Sequence, residues 1–223
     1  MNKSLKYSVL RFLPGKWGRR YRRKIFGLRA RSEFDEALDR SAGKTCIDLG
    51  ANVGDYTRKM AVKAKRVIAF EPDPWAHARL QANVAALDNV KIENAAAGTR
   101  DGTVLLYRRA GFESNPASNS QSSSVVAAKK NVSQDEAVEV EQIDFIAYLE
   151  NLDESLGIVK IDIEGAEVEL LERLFERPDI LMRIDYIFVE THESRIPGHE
   201  PRVNRLREHA ARLDRPRINL YWN

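Results

Sequence analysis

The sequence predicts an α/β domain: a mostly parallel sheet with helices on both faces. Three observations point there. Short apolar runs such as "TCIDL", "RVIAF" and "GIVKIDI" read as strands buried on both sides. Helical stretches alternate with them from Lys44 onward, in the βαβ rhythm of a parallel sheet. A chain of 223 residues can bury a full core, which suits one such domain over residues 44–223 behind an N-terminal arm over 1–43.

The arm comes first. Residues 1–31 hold eleven Lys or Arg and no acid; taking these from 36 basic and 33 acidic residues leaves the remainder at −8, so a net charge of +3 conceals a strongly basic arm. Leu5, Val9 and Phe12 repeat at helical spacing, Pro14-Gly15 interrupts, and Trp17, Tyr21, Ile25 and Leu28 resume the pattern, which predicts two short amphipathic helices. Their apolar stripes would pack on the domain while Lys and Arg face water, and a basic outer face also suits a peripheral membrane or other anionic contact. No apolar run reaches the length of a membrane span and no cleavage-like site follows the first one, so a cytoplasmic location is expected. The single cysteine, Cys46, rules out an internal disulfide framework and reads as a small buried residue.

From Lys44 come the strand "TCIDL", a helix over 55–65, the strand "RVIAF", a helix over 74–86 opened by Pro74, and the strand "VKIEN". "TVLLYRR" is a further short strand. The polar stretch "ESNPASNSQSSS" after it reads as a surface loop or lid, because later strands are expected to finish the same sheet. "AVEVEQI" is a strand and "DFIAYLENL" a helix capped by Asp144. "GIVKIDI" and "DYIFVE" flank a helix over 165–177 that Pro178 ends, and a helix over 201–213 and a strand "INLYW" complete the chain.

"IDLGANVGD" sets two glycines and an asparagine at the end of the first strand, a turn that lets a nucleotide-like ligand approach the main chain. A dinucleotide fingerprint starting at Gly50 would need glycine where Asn52 and Asp55 stand, and an aspartate repels a pyrophosphate. No Gly-Lys-Ser/Thr follows, so it is not a P-loop either. Asp48, Gly50, Asn52 and Gly54 resemble motif I of class I S-adenosylmethionine-dependent methyltransferases, with asparagine for the middle glycine. That cofactor carries a sulfonium and an amino group but no phosphate, so acids near the turn favour it. Glu71 in "AFEPDP" ends the second strand, where a carboxylate can accept from both ribose hydroxyls. In "ENAAAG", Asn94, Ala95 and Ala96 would reach the adenine with small side chains and backbone.

"VKIDIEGAE" carries the most specific signal. Asp162 ends a buried strand with Glu164 just beyond it, Glu167 suits the N-terminus of the next helix, and "VETHES" brings Glu190 and His192 to the neighbouring strand end. Together with the glycine turn, "FEPDP" and "AAAG…DG", this segment is similar to the FkbM family of methyltransferases over residues 44–195. The resemblance implies a Rossmann-like class I fold and O-methylation, often of sugar or natural-product hydroxyls. The single closing strand, where class I sheets commonly close with an antiparallel pair, and the basic arm depart from the family pattern.

The expected activity is therefore transfer of a methyl group from S-adenosylmethionine to a hydroxyl of a sugar or saccharide-containing metabolite. Asp162, Glu164, Glu190 and His192 are the candidate reaction centre. Two schemes stay open: His192 as general base, or carboxylates and histidine holding a divalent metal ion that lowers the hydroxyl's pKa. His77 and His209 are expected on solvent-facing helix surfaces. A nucleic-acid methyltransferase is the rival enzyme, disfavoured because no "NPPY"-like segment is present; a non-catalytic cofactor-binding interaction module is the rival from another class.

Overall fold

The computed structural model describes the backbone of residues 15–222 and the side chains of residues 25–222. The predicted helix built on Leu5, Val9 and Phe12 lies outside the described residues. The second arm helix is longer than its sequence pattern predicts: α1 runs from Gly15 to Arg40 without a break. Its C-terminal half continues the helical spacing with Ala30, Phe34, Ala37 and Leu38, all buried against Cys46, Val67, Ile158 and Phe188. This half of the helix precedes residue 43, yet it belongs to the core of the domain.

The main sheet has the order β3-β2-β1-β7-β8-β9, and every pairing within it is parallel. Its strands are β1 (Thr45–Leu49), β2 (Arg66–Phe70), β3 (Val90–Glu93), β7 (Leu156–Ile161), β8 (Ile184–Val189) and β9 (Arg217–Asn219). The strands β1 and β7 at its centre are buried along their whole length, as strands covered by helices on both faces must be. On one face lie α1 and α2 (Asp55–Ala61); on the other lie α4 (Phe145–Leu152), α5 (Glu167–Phe175) and α6 (His199–Ala210), around Ile47, Leu49, Val159 and Ile161. Helix α3 (Pro74–Val84) is begun by Asp73, which accepts from the Trp75 and Ala76 N–H groups, and α4 by Asp144, which accepts from Ile146 and Ala147.

One strand expectation needs correction. "TVLLYRR" and "AVEVEQI" do not extend the main sheet; as β5 (Gly102–Tyr107) and β6 (Ala137–Asp144) they join β4 (Ala96–Gly98), a strand the sequence did not announce, in a separate sheet of order β4-β6-β5. Alternation explains this. In β6 Val140 is buried while Glu139 and Glu141 are exposed, a one-sided pattern unlike the continuous burial of β7. The single closing strand expected from "INLYW" is β9, which starts one residue earlier, ends at Asn219 and lies parallel to β8. Several helices shift by a few residues as well: α5 starts only at Glu167, and α6 starts at His199 because Gly198, at φ 80°, turns the chain into it.

The chain builds β1, β2 and β3 in one direction from the centre, then returns to build β7, β8 and β9 in the other. The strand order therefore reverses between β1 and β7, and a crevice opens at their carboxyl ends. The polar stretch after β5 folds over that crevice. It is anchored by buried Phe112 and by Arg108, whose guanidinium sits 2.8 Å from Asp73.

Among the described residues no helix is long and apolar enough to cross a membrane. Cys46 is buried, and burial pushes its thiol up to about 11, away from reactive use.

Phe34 has no exposed surface and packs its ring against Tyr56, Phe188 and Trp222. Phe34→Ala should therefore lower the unfolding free energy by about 3–5 kcal/mol in urea titrations. A loss under about 1 kcal/mol would show that α1 is dispensable to the core.

Candidate active site

A cavity of about 340 Å³ occupies the crevice. Its floor is the turn after β1 (Gly50–Val53), its sides are Glu71, Ala95–Ala97 and Asp162–Glu164, and residues Ser120–Ser123 of the polar loop cover it. Glu190 and Arg195 close the far end.

The turn is bare for a reason other than ligand approach. Gly50 adopts φ 73°, and a Cβ there would collide with the Asp162 carbonyl, so this glycine lets β1 and β7 converge at their ends. Gly54, at φ 92°, caps α2, and a Cβ would meet Leu80 of α3; it does not line the cavity. Asn52 holds a left-handed φ of 48°, which asparagine tolerates, and its side chain accepts from the Val53 N–H at 2.8 Å. Its amide also reaches Ser120 of the covering loop at 3.3 Å.

Glu71 stands at the carboxyl end of β2, on the cavity wall. Its two oxygens accept from the Asn52 and Asp73 N–H groups at 2.7 and 2.8 Å. Burial pushes its pKa up to about 7 against those two hydrogen bonds.

Asp48 lies beneath the cavity, fully buried. In the parallel register it faces Lys160, and the two side chains share the α1/α2 side of the sheet. Lys160 Nζ is 3.0 Å from Asp48 Oδ1, donates to the Gly50 carbonyl at 3.1 Å and reaches Asp162 at 3.9 Å. Thr57 donates to the other Asp48 oxygen at 2.7 Å. Burial alone would lower the lysine pKa, but Asp48 and Asp162 outweigh it and hold the ammonium charged. Lys160 lines the cavity and Asp48 does not. A lysine inside the apolar "GIVKI" was the available signal for it.

The four predicted rim residues do converge. His192 is 3 % exposed; its Nε2 lies 3.0 Å from Glu164 and 3.9 Å from both Asp162 and Glu190. Its Nδ1 and its backbone N–H both meet Glu167 Oε1, at 3.1 and 2.9 Å. Burial would lower the imidazole pKa, yet the hydrogen bonds to Glu164 and Glu167 push it up to about 10. His192 is thus an imidazolium clasped between carboxylates. Glu167 has a part the sequence reading missed: instead of only favouring the α5 N-terminus, it is wholly buried and orients His192.

Glu164 reaches His192 from a left-handed residue, φ 55°. Burial works against its charge, but His192 and Lys129 overcome that and hold its pKa below the usual range. Lys129, from the covering loop, has no exposed side-chain surface and donates to Glu164 at 2.5 Å. Burial draws this lysine below its ordinary pKa, with Glu164 opposing. The two other rim carboxylates behave differently: burial raises Asp162 to about 7, opposed by Lys160 and reinforced by Glu190, and burial also raises Glu190. Asp162 Oδ1 is buried without a hydrogen-bond partner among the described residues.

The adenine-side assignment needs one correction. Ala95 and Ala96 line the cavity, but Asn94 is exposed and lies outside it, because the chain leaving β3 turns that side chain outward. His209 is exposed as expected, and its ring lies against Phe175. His77 is half-buried.

A family model described as the methyltransferase FkbM domain matches residues 48–213. A crystal structure of methyltransferase FkbM from Methylobacillus flagellatus KT is similar over 60% of this chain at 17% identity and a TM-score of 0.38; the match covers 29% of that chain, so this protein spans under a third of its length. An rRNA methylase from Streptococcus thermophilus is similar over 80% of this chain and 76% of its own, at 10% identity and a TM-score of 0.41. Comparison with curated proteins finds no match.

The raised pKa of Asp162 is also a statement about stability. The folded state keeps a proton on this carboxyl that the unfolded chain releases near pH 3.8, so stability falls as pH rises from there to about 7. Asp162→Asn, measured in EDTA, should therefore raise the unfolding free energy at pH 8 by about 1–2 kcal/mol, after allowance for partial exposure, with little gain at pH 4. An equal effect at both pH values would contradict the assignment.

Proposed function

Since the chain belongs to the FkbM-domain methyltransferase family, we propose that it moves the methyl group of S-adenosylmethionine to a hydroxyl of a sugar or saccharide-containing metabolite. The observation that carries this reading is Asp162: a carboxyl at the end of a central strand, with a pKa near neutrality and one oxygen without a hydrogen bond, facing a cavity.

The residues present fit the cofactor. Glu71 keeps acceptor capacity on both oxygens after its two backbone bonds, which suits a pair of ribose hydroxyls. Ala95–Ala97 leave the wall lined with small side chains, which leaves room for a purine, and the carboxylates of the rim suit the sulfonium and the α-ammonium. S-adenosylmethionine bound there would supply an electrophilic methyl group on a sulfonium.

The residues of the rim divide the remaining work. A hydroxyl is a poor nucleophile until its proton is removed, and the best base has a pKa near the working pH. His192, held as an imidazolium by Glu164 and Glu167, has no free lone pair to offer. Asp162 does, and Glu190 beside it adds the negative charge that keeps its proton affinity high. His192 and Lys160 then balance the charge that forms on Asp162 as it gives up its own proton to water before each turnover.

The cavity carries Asp162, Glu164 and Glu190 together with Lys160 and Arg195, so its charges are largely paired. The sequence has no "NPPY"-like segment for holding a base, which supports a small acceptor over a nucleic acid. Incubation with methyl-labelled cofactor and fractionated cell extract, followed by mass analysis, identifies the acceptor; label on RNA or DNA alone would overturn the reading.

Two outcomes follow for purified variants. Glu71→Ala should weaken S-adenosylmethionine binding in calorimetry by about 1–3 kcal/mol, with Tm followed alongside because the glycine turn and the turn after β2 each lose a hydrogen bond. The rate of the wild-type enzyme should rise with pH through about 7 as Asp162 ionises. Asp162→Asn should abolish that rise and cut kcat by about 10²–10⁴-fold.

A further inference from the structure

The covering loop between β5 and β6 does more than roof the cavity. It carries Lys129 inward, wholly buried, with its ammonium on Glu164 Oε2 at 2.5 Å and on the Ser122 carbonyl at 2.7 Å. Three nearby groups, Asp162, Glu164 and His192, have ligand atoms all within 4.8 Å of one another, and such a set of hard oxygens and one imidazole could hold a divalent cation. In this structure the Glu164 oxygen is already taken: it meets Lys129, His192 at 3.0 Å and Arg195 at 3.6 Å. A divalent ion would have to sit beside a buried ammonium, where like charges repel strongly.

We propose that Lys129 is the built-in cation of this rim, a positioning residue that fixes Glu164 and, through it, His192, and that it makes the site independent of metal. It stands where a cation would otherwise bridge the covering loop to the rim. The loop has separate ties to the same place: Ser124 Oγ donates to the Glu164 carbonyl at 2.7 Å, and Lys130 N–H donates to the Arg195 carbonyl at 2.9 Å. Loop closure and charge can therefore be tested apart. The catalytic part of this inference rests on the rim being the methyl-transfer centre; the metal-binding part does not.

The test is manganese binding to the full chain, followed by calorimetry and thermal melting, with no substrate present. The wild-type protein should show no saturable Mn²⁺ binding and no shift in Tm. Lys129→Ala frees Glu164 beside Asp162 and His192, and should bind one Mn²⁺ at least about tenfold more tightly, with a raised Tm. Lys129→Met, nearly isosteric, serves if the alanine variant does not fold. Ser124→Ala loosens the loop but keeps the ammonium, and should bind no more Mn²⁺ than wild type. With the labelled acceptor in hand, wild-type turnover should survive EDTA, and Lys129→Ala should lose kcat at nearly unchanged cofactor KM and regain part of it with Mn²⁺ or methylammonium. Tight Mn²⁺ binding by the wild type, or none by either folded Lys129 variant, would overturn the proposal. A failure of methyl transfer with every acceptor would instead strike the functional reading and leave the binding result standing.

Discussion

Asp48 and Lys160 meet across β1 and β7 because parallel register sets them opposite one another and strand alternation sends both side chains to the same face. Neither group is solvated, so each would be a costly isolated charge; removing one partner of such a pair leaves the other uncompensated. The pair lies where the strand order reverses, and Lys160 extends it in two directions, to the Gly50 carbonyl in the turn and to Asp162 on the rim. The glycine turn and the rim proposed for the reaction are thereby tied to one ammonium. Gly50 completes the link, since only a residue without Cβ lets the Asp162 carbonyl come so close.

Outward from that pair, environment alone sorts the carboxylates into roles. Asp162 and Glu190 are half-buried, and loss of solvent raises both, Asp162 to about 7; Glu164 has Lys129, His192 and Arg195 around it and is held below the usual range. A carboxylate is therefore the proposed proton acceptor at one position and a fixed anion at another. His192 is converted from a candidate base into a held cation by the two glutamates that grip it. One strand end and the next are enough to create this difference.

The main sheet was legible in the sequence because buried parallel strands leave continuous apolar runs, and "TCIDL", "RVIAF" and "DYIFVE" are such runs. The rim residues were legible for a related reason: an acid directly after an apolar strand has few structural excuses. Loop-borne residues left no such mark. Lys129 follows a serine-rich stretch without period, and only the tertiary fold brings it to Glu164, 35 positions away. Glu167 looked like an ordinary acid at a helix start, and its grip on His192 spans 25 positions. The separate β4-β6-β5 sheet was missed because reading "AVEVEQI" only as a strand passes over its alternation, which marks a strand covered on one face only and so a second sheet. The Asn94 assignment failed on a one-residue question of direction, which sequence spacing leaves open at a strand end.

Glu164 shows how such long-range contacts support local strain. A non-glycine residue at φ 55° costs about 1–3 kcal/mol and persists only where its surroundings over-determine it. Here the surroundings act on both ends of the residue: Ser124 holds its carbonyl, while Lys129 and His192 hold its carboxylate. A relaxed backbone would swing the carboxylate off the imidazolium and leave both buried charges short of a partner. The strain is therefore offset by electrostatics that exist only when the covering loop is in place. That couples the loop, which roofs the cavity, to the imidazolium, which faces Asp162, so that closure of the cavity and the charge balance at the proposed base are set by one residue.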